Sequence, residues 1–201
     1  MINFLDYLKI FPDTFPSNVS KALLELPKSS SPSVVSDSIK GFNKINDDYR
    51  ITNNIHLEDI ICKNITYNMQ EFWNSYLHQY YQTDIKNIEQ PQLLHYNIGG
   101  KYDVHNDCED FVGGKLVRMV PRDVTILAYL NDDYEGGEIE FPDYGITIKP
   151  TVNMVITFPS YYEFQHRVKP VTKGERFTLV TWIETTERIY DRPYEVGRIK
   201  R

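Results

Sequence analysis

Across residues 57–81, apolar side chains recur every three or four positions: Ile61, Ile65, Met69, Phe72, Trp73, Tyr76 and Tyr80. That is the period of one helix face, and it predicts a helix whose stripe packs on the protein's own core. A shorter pattern over residues 19–26 predicts another. Beyond Gln90 the period changes. Residues 92–98, 124–131, 146–149, 153–158 and 177–184 are short runs rich in β-branched and aromatic side chains, which suit a pleated, half-buried surface and predict strands. Turn residues separate them, among them Gly99-Gly100, Gly113-Gly114, Gly136-Gly137 and Lys173-Gly174. This order predicts a mainly β sandwich or barrel with flanking helices packed outside. The Ser/Pro-rich residues 28–33 read as a loop or linker.

The length of 201 residues suits one structural domain. Within it, residues 1–90 read as an N-terminal helical support region packed on the barrel, 91–187 as the β core, and 188–201 as a tail with five basic and two acidic side chains. A net charge of -6 works against broad attraction to nucleic acid or anionic lipid. Cys62 and Cys108 are too few for a disulfide scaffold, so reduced thiols are expected. The first residues carry acids early and show neither a sustained apolar run nor a small-residue cleavage site. No stretch approaches a membrane span, and a soluble cytoplasmic protein is expected.

The chemistry concentrates at His105, Asp107, His166 and Arg176. Residues two apart on a strand share a face, so His105 and Asp107 are able to reach one metal from a single strand end. His166, facing them across the barrel, completes two histidines and a carboxylate, the ligand set of non-haem Fe(II) oxygenases, which leaves positions open for a co-substrate and dioxygen. Arg176, at the start of the strand returning from Lys173-Gly174 and thus expected beside the His166 strand, suits the far carboxylate of a dicarboxylate co-substrate. His-x-Asp alone is a weak signal, and an isolated arginine usually makes a surface ion pair. Residues 108–121, with Gly113-Gly114 as hinge, and residues 28–45 are candidate lids.

Four collinear stretches carry a resemblance: Tyr96 to Asp107, Arg122 to Asp132, Gly136 to Pro142, and His166 through Arg176 to Ile183. Residues 93–184 resemble the catalytic domain of the 2-oxoglutarate/Fe(II)-dependent dioxygenases, in the prolyl 4-hydroxylase-like branch. The resemblance implies a double-stranded β-helix, or jelly roll, with Fe(II) held by His105, Asp107 and His166. It implies 2-oxoglutarate anchored by Arg176 with Tyr96 or Tyr129, and Tyr102, Arg122 and Trp182 lining the substrate mouth. The implied reaction is hydroxylation of a peptide or protein substrate, proline foremost, consuming dioxygen and releasing succinate and carbon dioxide, with ascorbate as a reductant. Packed tyrosines have an equal claim as core filling.

Three positions depart from that pattern. Collagen-type prolyl 4-hydroxylases usually carry lysine where Arg176 stands, Ile139 replaces a frequent threonine, and Glu184 a frequent histidine. Peptidyl-lysine hydroxylation on the same scaffold and a catalytically silent peptide-binding barrel stay open as alternatives. A nucleic-acid demethylase is disfavoured by Trp182 and the acidic charge, and a structural zinc site lacks a fourth ligand, Cys108 lying off the ligand face by strand parity.

Overall fold

The computed structural model describes residues 3–33, 35–37, 42–44 and 48–189. Most of the tail expected at 188–201, and part of the candidate lid at 28–45, lie outside the described residues.

The β core is two facing antiparallel sheets, and the chain crosses between them at nearly every turn. Gln92–Tyr96, Val124–Tyr129, Val155–Pro159 and Arg176–Thr185 are central to the larger sheet. Lys101–His105, Ile139–Phe141, Ile146–Ile148 and His166–Val168 build the smaller one. This winding is the double-stranded β-helix. Alternation along each central strand explains why both faces are buried: Thr125, Leu127 and Tyr129 point between the sheets, whereas Val124, Ile126 and Ala128 point outward under the helices. Arg176, Thr178, Val180 and Trp182 share the inward parity, which brings a cation, a hydroxyl and an indole into the space between the sheets.

The outer face of the larger sheet is covered by Asp59–Phe72, a π-helical turn at Trp73–Leu77, and His78–Tyr81. This matches the expected helix over 57–81, with one difference. Ile65, Met69, Trp73, Leu77 and Tyr81 are buried at a strict spacing of four, which would drift around a regular helix; the wider π turn absorbs the drift. Tyr76 and Tyr80, counted in the stripe by sequence, turn outward. The shorter helix spans Ser17–Leu24.

The N-terminal region is not only helical. Lys9–Phe11, Ser30–Pro32, Asn53–Ile55 and Ile85–Ile88 extend the larger sheet, and Arg50–Ile51 extends the smaller. Ser30–Pro32, expected as loop, pairs with Asn53–Ile55 at the sheet edge, a position where a proline without an N–H is tolerated. No helix among the described residues is long and apolar enough to cross a membrane.

Candidate metal and co-substrate site

His105 ends the strand Lys101–His105, and His166 begins the strand His166–Val168 directly opposite it. The two histidines are therefore neighbours on one sheet and do not face each other across the barrel. Asp107 lies past the end of its strand. The Asn106 side chain turns the chain there, its Oδ1 accepting from the Cys108 and Glu109 amides at 3.1 and 2.7 Å. The Asp107 carboxylate then reaches within 3.7 Å of His105 Nε2 and 3.8 Å of His166 Nε2. All three donor atoms lie within 4.8 Å of one another, a spacing one metal ion spans. Cys108 is buried beside them but is not part of this cluster, and burial pushes its thiol pKa up.

Both imidazoles are held in one tautomer. His105 Nδ1 is 2.7 Å from the Asp103 carbonyl and His166 Nδ1 is 3.1 Å from the Phe164 carbonyl. A carbonyl only accepts, so each Nδ1 carries a proton, and in a neutral ring Nε2 is the nitrogen that offers a lone pair. Burial first, then His166, pushes the His105 pKa down to about 3, keeping the ring neutral as a ligand must be. Burial works against the Asp107 carboxylate, but His166, His105 and the Thr125 hydroxyl outweigh it, and its pKa is lowered.

A cavity of about 680 Å³ opens on this cluster and is also lined by Tyr96, Arg176 and Thr178 from the larger sheet. Arg176 is 1% exposed, with its guanidinium 4.6 Å from the Tyr96 ring and 5.1 Å from the Tyr129 ring. Its Nε and Nη1, the hydroxyls of Tyr129 and Tyr134, and Thr178 Oγ1 are buried with no partner at ordinary hydrogen-bond geometry, although both tyrosine hydroxyls lie near enough to the guanidinium to interact with it. No carboxylate among the described residues pairs with Arg176, and a buried cation without an anion costs on the order of several kcal/mol, so this chamber suits an anion. Gly137 makes it possible: at φ +67°, a Cβ there would lie 2.9 Å from Arg176 Cδ. The His166 and Arg176 strands, expected as neighbours, belong to opposite sheets, and the chamber around Arg176 lies between the sheets rather than along one.

At the mouth, Tyr102 stacks on His105 with ring centroids 3.5 Å apart. Arg122 lies 3.6 Å over the Trp182 ring, pairs through both ends of its guanidinium with Glu89, and donates to the Asp107 carbonyl at 3.1 Å. It serves first as a strut. The hairpin Glu109–Val112 with Lys115–Arg118 overhangs the opening, and Gly113-Gly114, expected as a hinge, forms its tip at φ +59° and +78°. Its base is fixed by Arg118 to Asp123 at 3.0 Å and by the Tyr162 amide to Glu109 at 2.8 Å. Sequence reasoning missed Tyr134, Thr178, Thr125 and Ser160, hydroxyl side chains whose importance depends only on where the fold aims them.

Residues 91–184 match the model of the 2OG-Fe(II) oxygenase superfamily. This segment belongs to that superfamily. Fe(II) and 2-oxoglutarate, with dioxygen, are the cofactor set of the family, and the cavity suits them: two imidazoles and a carboxylate for a divalent metal, buried donors for an anion. Among curated relatives of the oxygenase segment, human prolyl 3-hydroxylase 2 is 40% identical over 74 residues, covering 34% of this chain and 10% of that protein. A PKHD-type hydroxylase of Psychrobacter is 33% identical over 107 residues, covering 51% of this chain and 40% of that protein. The chain thus spans less than half the length of these two relatives. Among solved structures, the viral collagen prolyl hydroxylase of Paramecium Bursaria Chlorella virus-1, as its 2OG complex, superposes with a TM-score of 0.61 at 23% identity, covering 88% of this chain and 95% of that one. The Trichoplax adhaerens prolyl hydroxylase, in complex with a hypoxia inducible factor peptide, gives 0.66 at 18% identity, covering 89% and 84%. At these identities the likeness is one of fold.

Proposed function

We propose that this oxygenase hydroxylates a peptidyl residue, with proline at C4 as the leading target. The observation that carries the co-substrate half of this reading is Arg176, a buried and unpaired cation in the same cavity as His105, Asp107 and His166. The two histidines and Asp107 would hold Fe(II), leaving the cavity side of the metal open. Arg176 would take the distal carboxylate of 2-oxoglutarate through parallel hydrogen bonds, with Tyr129, Tyr134 and Thr178 supplying further donors and Tyr96 walling the guanidinium. When bound, Fe(II), 2-oxoglutarate and dioxygen supply an oxidant that places one oxygen atom in a substrate C–H bond, with succinate and carbon dioxide as co-products. The protein's own part is to fix the ligand tautomers, to clamp the co-substrate, and to keep water from the reacting centre behind Leu127, Ile139 and Val180.

For the substrate, the mouth is walled by Tyr102, Trp182 and the Arg122 strut, a surface suited to an extended peptide that presents a ring edge. Three of the four proteins compared above are named as prolyl hydroxylases, one of them a prolyl 3-hydroxylase, which supports proline while leaving C3 as the competing position. The test incubates the Fe(II)-loaded protein with 2-oxoglutarate, oxygen, ascorbate as reductant, and proline-rich or lysine-containing peptides, and reads the products by mass spectrometry. One added oxygen on proline, located at C4 by fragmentation against standards, supports the proposal. Addition at C3 keeps the residue and corrects the carbon; addition on lysine overturns the substrate.

A further inference from the structure

The Asp107 carboxylate is anchored by hydroxyls that belong to the other sheet. Thr125 Oγ1 lies 2.6 Å from Asp107 Oδ2, and Ser160 Oγ lies 2.8 Å from Thr125 Oγ1. The Asp107 amide also donates to the Ser160 carbonyl at 3.1 Å. Thr125 and Ser160 are each 1% exposed. Thr125 sits in the strand Val124–Tyr129 and Ser160 just beyond Val155–Pro159, paired strands of the larger sheet, whereas His105 and His166 ride on the smaller sheet.

Proton counting fixes the direction of this chain. An ionised carboxylate only accepts, so the single Thr125 proton points at Asp107. Thr125 Oγ1 is then the acceptor for the Ser160 hydroxyl. The order Ser160 to Thr125 to Asp107 leaves each hydroxyl polarised by the one behind it, which strengthens the last bond. It also engages Oδ2, so that Oδ1 is the oxygen with no hydrogen-bond donor among the described residues.

We infer that Thr125, backed by Ser160, is a positioning residue for the metal: it locks the rotation of the Asp107 carboxylate and presents one oxygen rather than two to the ion. This inference rests on the metal-site reading above. Partners of this kind, one shell out from the ligands, typically change metal affinity by about 10–100-fold when removed.

Co(II), a divalent probe that needs no oxygen chemistry, separates the alternatives. Its affinity and visible absorption are measured for the wild-type protein, Thr125→Val, Thr125→Ser, Ser160→Ala and His105→Ala. Valine keeps the shape and β-branching of threonine and removes its hydroxyl, both the donor to Asp107 and the acceptor for Ser160. Thr125→Val is expected to weaken Co(II) binding about 10–100-fold and to change the absorption spectrum as the freed carboxylate rotates, with Thr125→Ser restoring both. Ser160→Ala is expected to give a smaller loss, because Thr125 still donates. Wild-type affinity and spectrum in Thr125→Val, or a serine variant as weak as the valine one, overturns the inference. Should Thr125→Val not fold, Ser160→Ala decides: an unchanged affinity and spectrum then contradicts the chain. Failure of the wild-type protein to bind Co(II), or binding untouched by His105→Ala, defeats the metal-site reading itself.

Discussion

His166 stands directly opposite His105 on the adjacent antiparallel strand, with ring centroids 4.3 Å apart. The ladder of one sheet thus sets the spacing of two nitrogen ligands, and the carboxylate arrives from outside the ladder. Rigid strands place such groups more closely than loops do. Because the histidines are neighbours in register, they would be lost together if that register slipped.

His105→Ala and His166→Ala are each expected to abolish tight Co(II) or Fe(II) binding while the far-ultraviolet circular dichroism stays that of the wild type. Calorimetric titration reads the first and the spectrum the second. Wild-type affinity in either variant contradicts the ligand assignment.

Arg176→Met is expected to have two opposite effects. Without co-substrate, the ligand-free protein should be more stable by about 1–4 kcal/mol, because an unpaired buried cation is replaced by an apolar side chain of similar length. With the metal bound, 2-oxoglutarate affinity should fall by about 2–5 kcal/mol, roughly 30-fold or more. Thermal unfolding with and without 2-oxoglutarate reads both. A variant that melts lower and binds the co-substrate normally contradicts the anion chamber.

Gly137→Ala strains a left-handed backbone and pushes on Arg176 Cδ, so about 1–2 kcal/mol of stability should be lost, together with 2-oxoglutarate affinity. Gly113→Ala has a positive φ as well but meets nothing within 4 Å, so it should cost stability alone. Equal co-substrate affinity in the two variants contradicts the contact.

The helix over 57–81 and the central strands were legible because periodicity is local and strong. The phase of the stripe was not. A regular period places Tyr76 and Tyr80 inward, and the π turn at Trp73–Leu77 moves Leu77 and Tyr81 there instead. Pairing across a hundred residues was equally hidden. Nothing in the sequence around His166 says that its strand joins that of His105 rather than that of Arg176, since register is decided by the assembled faces. The short strands Ser30–Pro32 and Arg50–Ile51 carry too few apolar residues for alternation to show. The site beyond His105, Asp107, His166 and Arg176 was illegible for a chemical reason: a threonine on a strand usually fills a β position, and only the fold aims Thr125 at a carboxylate and Thr178 into a cavity.

The helical phase has its own test. Leu77→Ala should cost about 2–5 kcal/mol as a core truncation, and Tyr80→Ala, on the exposed side, about 1 kcal/mol or less. Denaturant unfolding compares them, and the reverse order contradicts the π turn.

Turnover of the co-substrate tests most directly whether the triad and Arg176 form one oxygenase site. Succinate is measured from 2-oxoglutarate and oxygen, with ascorbate as the reductant that takes the second oxygen atom to water, by the Fe(II)-loaded wild type, Asp107→Ala and Arg176→Met. Succinate is expected from the wild type, none above background from Asp107→Ala, and recovery of Arg176→Met only at much higher 2-oxoglutarate. No succinate from a wild-type protein shown to hold Fe(II) and 2-oxoglutarate, or undiminished succinate from Asp107→Ala, would contradict the single site.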